Sequence, residues 1–173
     1  MMREWSKSGS VPVRRATADD LPVLPGVEAA ADERFAELGF APLPPPGTAG
    51  SLAAARFVLV SGRPPVAFAR VEEVDGLAHL EQLSVHPAHQ GRGLGSALLE
   101  AAYREALRLG YTAMTLITFA DVRWNAPFYA RHGFRVLGAF SPGLLALRAK
   151  ERTLGLDVMG RRVAMRRDEA RIG

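Results

Sequence analysis

The chain has 173 residues, 48% of them hydrophobic, and no cysteine. That length suits one domain around one substantial core, and the missing cysteines exclude a disulfide framework, a thiolate metal site and a cysteine nucleophile. The net charge is +4, and all but two of the 22 basic residues (Lys7 and Lys150) are arginine, so the high isoelectric point reflects arginine's fixed charge and is no nucleic-acid signature.

Residues 1–10 read as a polar, frayed tail, and 11–173 as a single domain. The tail lacks the apolar centre of a secretory signal, and no apolar run approaches the ~20 residues of a membrane span, so the expected location is cytoplasmic. Val11 to Ala16 predicts a strand. Thr17 is placed to cap a helix that opens with Asp19 and Asp20, acids suited to the positive end of its dipole; Pro25 is expected to kink or split it. Residues 27–38, VEAAADERFAEL, carry apolar positions at helical spacing, closed by Gly39. Proline and glycine make 41–50, APLPPPGTAG, a loop. Strands follow at Phe57–Val60, Val66–Val74 and Leu77–Val85, the last two joined by an Asp75-Gly76 hairpin turn. A helix then runs to Leu109, stopped by Gly110, and leads to a strand at Ala113–Phe119. Strand, crossover helix and strand imply a parallel pair. Asn125–His132 predicts a short helix, Phe134–Phe140 a strand, Leu144–Arg152 a helix that packs over the sheet or forms a homodimer contact, and Arg162–Arg167 a last strand. The C-terminal cluster Arg161, Arg162, Arg166 and Arg167 reads as a solvated strand end, with no aromatic interleaving that would suit nucleic acid.

Chemistry concentrates after Leu80–Val85. A His86-Pro87 turn leads to Gln90-Gly91-Arg92-Gly93-Leu94-Gly95-Ser96, where the long helix begins. The first N–H groups of a helix lack internal partners, the dipole adds partial positive charge there, and glycines let a phosphate approach the backbone. No lysine follows the glycines, so this is not a P-loop; position 98 is Leu98, so a Rossmann third glycine is absent. The stretch instead resembles motif A of the GNAT superfamily of acyl-CoA-dependent N-acyltransferases, Q/R-x-x-G-x-G/A after a strand ending near V-x-P: here Gln90, Gly93 and Gly95 after Val85-His86-Pro87. The resemblance extends over roughly 11–140. It implies an α/β (α+β) fold with a mixed, mostly antiparallel central sheet, a splayed parallel strand pair and flanking helices. It further implies acetyl-CoA as cosubstrate, its pyrophosphate on the amides of Gln90, Gly91, Arg92, Gly93, Leu94, Gly95 and Ser96. The pantetheine arm pairs, by the same resemblance, with the exposed edge of Leu83, Ser84 and Val85. In this family the region around 41–50 borders the acceptor; a plain proline-rich connector is the alternative.

Aminolysis of a thioester needs a proton acceptor for the amine and a proton donor for the leaving thiolate. Tyr129, four residues before Gly133-Phe134, resembles the motif B tyrosine whose hydroxyl faces the coenzyme sulfur; the plainer reading has it pack beside Phe128. Asn125 resembles a family asparagine that contacts pantetheine, but it also suits a helix cap. Glu81 is the leading base, since some family members place a glutamate on this strand and a carboxylate between apolar neighbours has a raised pKa. Strand alternation groups His79, Glu81, Leu83 and Val85 on one face. A solvent-facing Glu81 is the alternative, with His79, Glu72, Glu73 or a water chain as other proton acceptors. No histidine shows metal-ligand spacing, so no metal is expected. The resulting expectation is an N-acetyltransferase acting on a small-molecule or peptide amine by direct attack in a ternary complex, with no nucleic-acid or membrane partner. A non-catalytic acyl-CoA-binding sensor or interaction module is the alternative.

Overall fold

The β-branched and aromatic runs of the chain form strands that all join one seven-stranded sheet. The computed structural model describes residues 12–170, so the expected tail and the first residue of the expected first strand, Val11, lie outside the described residues. The strands are β1 (Val13–Arg15), β2 (Phe57–Ser61), β3 (Ala67–Val74), β4 (Leu77–Val85), β5 (Ala113–Phe119), β6 (Arg135–Val136) and β7 (Arg162–Asp168). In space they run β1-β2-β3-β4-β5-β7-β6. Every neighbouring pair is antiparallel except β4–β5, which is parallel. That parallel pair meets only at Ala78↔Met114 and His79↔Thr115, after which the two strands diverge.

The helices are α1 (Leu24–Asp32), α2 (Ala49–Ala53), α3 (Leu94–Arg108), α4 (Ala126–Arg131) and α5 (Pro142–Thr153). α3 and α4 cover one face of the sheet: Leu98, Leu99, Ala102 and Ala106 of α3 and Tyr129 of α4 join Ala69, Val71, Leu80 and Met114 in the largest core cluster. Leu98 and Leu99 are fully buried, each contributing about 1.5–3 kcal/mol by leaving water. On the opposite face Leu24 and Val27 of α1 and Leu52 of α2 pack on Val58, Val60 and Phe68. Phe35, Phe119 and Val122 form a third cluster with Phe40 and Trp124 at its edge. Among the described residues no helix is long and apolar enough to cross a membrane.

Four local expectations are corrected. Thr17 does not cap a helix; its N–H and hydroxyl donate to Asp20 Oδ2 at 2.7 and 3.0 Å, and Arg14 clamps the same carboxylate. A short 3-10 turn at Leu21–Val23 precedes α1, and Pro25, in the first turn of α1 where no N–H is needed, stands at the expected split between them. The loop 41–50 ends at Thr48, whose Oγ1 accepts from Ser51 N at 3.1 Å and starts α2 at Ala49. The strand expected over Phe134–Phe140 shrinks to β6, because the chain must turn away to begin α5 at Pro142. Its N-terminus is held by Asp75 of the β3–β4 hairpin, which accepts from Gly143 N at 3.0 Å and from the Ser141 hydroxyl.

The fourth correction shapes the site. β4 carries a bulge: Val71 faces Leu80 but Arg70 faces Gln82, leaving Glu81 as the extra residue. A bulge inverts the alternation beyond it. Leu83 and Val85 therefore share the α3 face with Ala78 and Leu80, packing against that core cluster. His79, Gln82 and Ser84 lie on the α1 face opposite Glu72, Arg70 and Phe68. The grouping of His79 and Glu81 with Leu83 and Val85 is thus overturned, although Glu81 stays beside His79.

Candidate active site

Where β4 and β5 part, a cleft of about 820 Å³ opens across the molecule. One end is the glycine-rich turn. Gly91 and Gly93 have φ of 75° and 78°, a left-handed backbone that favours glycine, and Gly93 is the N-cap of α3. The first intrahelical bond is Ala97 N to Gly93 O at 3.0 Å, so the N–H groups of Leu94, Gly95 and Ser96 have no partner within the helix. A Cβ on Gly95 would meet Phe128 Cζ and Val85 Cγ2 at an ordinary 3.8 Å, so alanine fits there. Gln90, Gly91, Gly93, Leu94, Gly95 and Ser96 all line the cleft, whereas Arg92 stands outside on the exposed loop. Leu83, Ser84 and Val85 line the middle, and their backbone edge toward β5 has no ladder partner.

Tyr129 reaches the cleft from α4. It is 9% exposed and stands edge-on to Phe128 and Phe134, with ring centroids at 5.3 and 5.9 Å. Burial raises its hydroxyl pKa, against a smaller opposing effect of Arg162, and no hydrogen bond among the described residues engages it. It is held as a protonated, unengaged donor. Asn125 occupies the N-cap position of α4 and lines the cleft, but its side chain makes no capping bond.

Glu81 stands out from the bulge beside His79, with Oε2 3.7 Å from Nε2. Its side chain keeps 42% of its surface open to the cleft. The surrounding protein still displaces most of its water, and this desolvation raises its pKa; Glu72 and Glu151 add to the rise, while Arg70 and Lys150 oppose it. His79 is 2% exposed and its Nδ1 lies 2.9 Å from the Thr115 hydroxyl. Burial lowers its pKa to about 4, so it is neutral at ordinary pH.

Several groups at the cleft escaped the sequence. Glu28 and Asp32 of α1 line it; burial pushes Glu28 up to about 7, reinforced by the Asp32 charge, and pushes Asp32 up to about 6. A pair of acids four apart beside the apolar stripe of Leu24, Val27 and Ala31 was the available signal. Glu151 of α5 is bound by Arg162, whose Nε and Nη2 lie 2.8 and 2.5 Å from Oε1. This fastens α5 to β7 along the cleft wall. His132 joins α4 to the glycine-rich turn. Its Nδ1 donates to Phe128 O at 2.8 Å, since a carbonyl can only accept, and its Nε2 lies 3.0 Å from the Ser96 hydroxyl.

A family model described as the Acetyltransferase (GNAT) family matches residues 26–134. Among solved structures the chain is similar to Rv2747 from Mycobacterium tuberculosis, in complex with CoA and NLQ, at 18% identity over 92% of this chain and 99% of that one, with a TM-score of 0.65. It is similar to the PaiA N-acetyltransferase from Thermoplasma acidophilum in complex with coenzyme A, at 15% identity over 91% and 98%, TM-score 0.64. It is also similar to the ribosomal-protein-S18-alanine N-acetyltransferase from Escherichia coli, at 22% identity over 94% and 96%, TM-score 0.63. At these identities the likeness is one of fold.

Proposed function

The chain belongs to the GNAT acetyltransferase family and is an acyl-CoA-dependent N-acyltransferase, and from that premise we propose that it moves the acetyl group of acetyl-CoA to a primary amine by direct attack in a ternary complex. The observation that carries this reading is the divergence of β4 and β5 beyond His79, which opens one cleft from the glycine-rich helix start to Glu81. The free amides of Leu94, Gly95 and Ser96 suit the pyrophosphate, with Gln90, Gly91 and Gly93 shaping the turn and Arg92 at its rim. The unpaired edge of Leu83 to Val85 suits the pantetheine amides, which add to β4 as a strand would. The free side chain of Asn125 suits a contact to the same arm.

In the reaction the neutral amine attacks the thioester carbon. Glu81, directly or through water, takes the proton the nitrogen sheds. The C–S bond breaks as the tetrahedral intermediate collapses, and Tyr129 protonates the departing thiolate. The raised pKa makes Glu81 a better base, and Tyr129, protonated at ordinary pH, keeps a proton to donate.

Thiol release from acetyl-CoA, measured with and without a panel of primary amines, tests the reaction. Calorimetric titration of CoA into the wild type and Gly93→Glu tests the coenzyme site. Amine-dependent thiol release, with CoA binding lost in the folded variant, is the expected result. Thiol release indifferent to amine overturns the transfer, and equal CoA affinity in Gly93→Glu overturns the placement.

A further inference from the structure

The two ends of the coenzyme site stand on different elements. The unpartnered N–H groups belong to α3, whose start is anchored by Leu94, Leu98 and Leu99 in the largest core cluster. Tyr129 belongs to α4, which is six residues long and has no side-chain cap at Asn125. A helix that short does not hold itself and depends on what it packs against. A donor for the leaving thiolate works only at a fixed separation from the groups that grip the coenzyme, since a small misplacement costs rate. The seat of α4 on α3 therefore bears on the reaction.

Phe128 and His132 form that seat. Phe128 lies against the glycine-rich turn, where a Cβ on Gly95 would meet its Cζ at 3.8 Å. His132 is the C-cap residue of α4 and stacks on Phe128, with ring centroids 4.4 Å apart. Its backbone N–H bonds to Tyr129 O at 2.9 Å, and its Nδ1 donates to Phe128 O at 2.8 Å. The side chain thus satisfies one of the carbonyls that a helix end leaves open. The same bond fixes the ring and turns Nε2 toward α3, 3.0 Å from the Ser96 hydroxyl. Among the described residues this is the one side-chain hydrogen bond that joins α4 and its cap to α3. Ser96 divides its groups accordingly: its N–H has no partner within the helix, while its hydroxyl faces His132.

We propose that His132 is a positioning residue: through Ser96 it locks α4 to the start of α3 and so holds the Tyr129 hydroxyl where the thiolate leaves. This rests on the acetyltransfer reading above, with Tyr129 as its proton donor. His132 acts through Tyr129 and touches no reacting atom. Without the lock α3 stays in place, because its own core residues hold it, and α4 shifts. The cost therefore falls on kcat and not on coenzyme affinity.

Two substitutions open the lock from opposite sides. His132→Asn keeps a nitrogen near the place of Nδ1, able to donate to Phe128 O, but ends short of Ser96. Ser96→Ala removes the hydroxyl and keeps the N–H. The test measures kcat with saturating acetyl-CoA and primary amine, and CoA affinity by calorimetry, for each variant, for the pair together, and for each in a Tyr129→Phe background. The expected result is a kcat about three- to tenfold lower in each single variant, the weight of one neutral hydrogen bond. The double variant should be no slower than either single one, CoA affinity should be unchanged, and neither substitution should slow Tyr129→Phe further. Parent kcat in both single variants, losses that multiply in the double variant, or losses that persist without the Tyr129 hydroxyl each overturn the lock. CoA affinity that falls in Ser96→Ala alone assigns the hydroxyl to the pyrophosphate and overturns it as well. If His132→Asn does not fold, Ser96→Ala with and without the Tyr129 hydroxyl decides by the same criteria. All these outcomes leave acetyl transfer standing. A Tyr129→Phe variant with the parent's kcat removes the donor and the lock with it, and a protein that acetylates no amine removes the underlying reading.

Discussion

The Tyr129 ring is packed by Phe128 and Phe134 whether or not it carries an oxygen. Tyr129→Phe therefore removes a proton donor and little else. We expect kcat to fall ~10²-fold while CoA affinity, measured by calorimetry, stays at the wild-type value; an unchanged kcat leaves Tyr129 a packing residue. Glu81 makes a second prediction at this scale. Its raised pKa means that the basic form accumulates only as pH climbs above the usual carboxylate range. Wild-type kcat/KM should rise through that limb, and Glu81→Gln should lose it and recover partly at high pH, where the amine is already neutral. His79 cannot stand in as a cation, since burial keeps it neutral down to about pH 4, but as a neutral imidazole it is the next base. A Glu81→Gln variant with the parent's pH–rate profile transfers the role there.

The bulge and α5 decide at the level of elements how these residues meet. Asp75, at φ 53° in the hairpin turn, reaches the N-terminus of α5. A Cβ on Gly143 would lie 2.6 Å from Asp75 Oδ1 and 2.7 Å from Val74 Cγ1. Gly143→Ala must push the helix start off the hairpin, at about the cost of a lost cap, ~1 kcal/mol, or about 2–4 °C in melting temperature. Because Leu147 and Lys150 of α5 and its C-cap Leu154 line the cleft, KM for the amine should rise as well, with CoA affinity unmoved. Thermal unfolding and steady-state kinetics check both; unchanged values in both would mean that α5 is not anchored through Asp75. The Gly-rich turn was legible in the sequence because its requirement is local: particular residues need positive φ and unpartnered N–H groups in a fixed order. The hairpin at Asp75-Gly76 was legible for the same reason. The bulge at Glu81 was not, since it arises from register with β3, and neither strand carries a glycine there to announce it. The grip of Asp75 on α5 joins residues 68 apart in sequence, and no periodicity encodes such a contact. Glu28 and Asp32 fall between the apolar positions of α1, and periodicity does not encode the cleft wall they join.

For the whole molecule, two sets of carboxylates pull stability in opposite directions with pH. The arginine clamps on Asp20 and Glu105 hold those groups below the ordinary range, Glu105 at about 2. Their stabilisation is present above the unfolded pKa and is lost as pH falls through the folded value. Glu28 and Asp32 have raised values, so their contribution is complete below about pH 4 and is lost as pH rises through about 6 for Asp32 and about 7 for Glu28. His79 has a lowered value and opposes them between about 4 and its usual 6.5, since the unfolded chain binds that proton and the folded one does not. Comparing Glu28→Gln with the wild type cancels the terms they share. The two should differ least near pH ~4, and the glutamine variant should gain on the wild type as pH rises to ~8, by on the order of 2 kcal/mol. Calorimetric melting across that range reads the gap directly. A gap that does not widen with pH would mean that Glu28 ionises freely and that the cleft wall carries no charge strain.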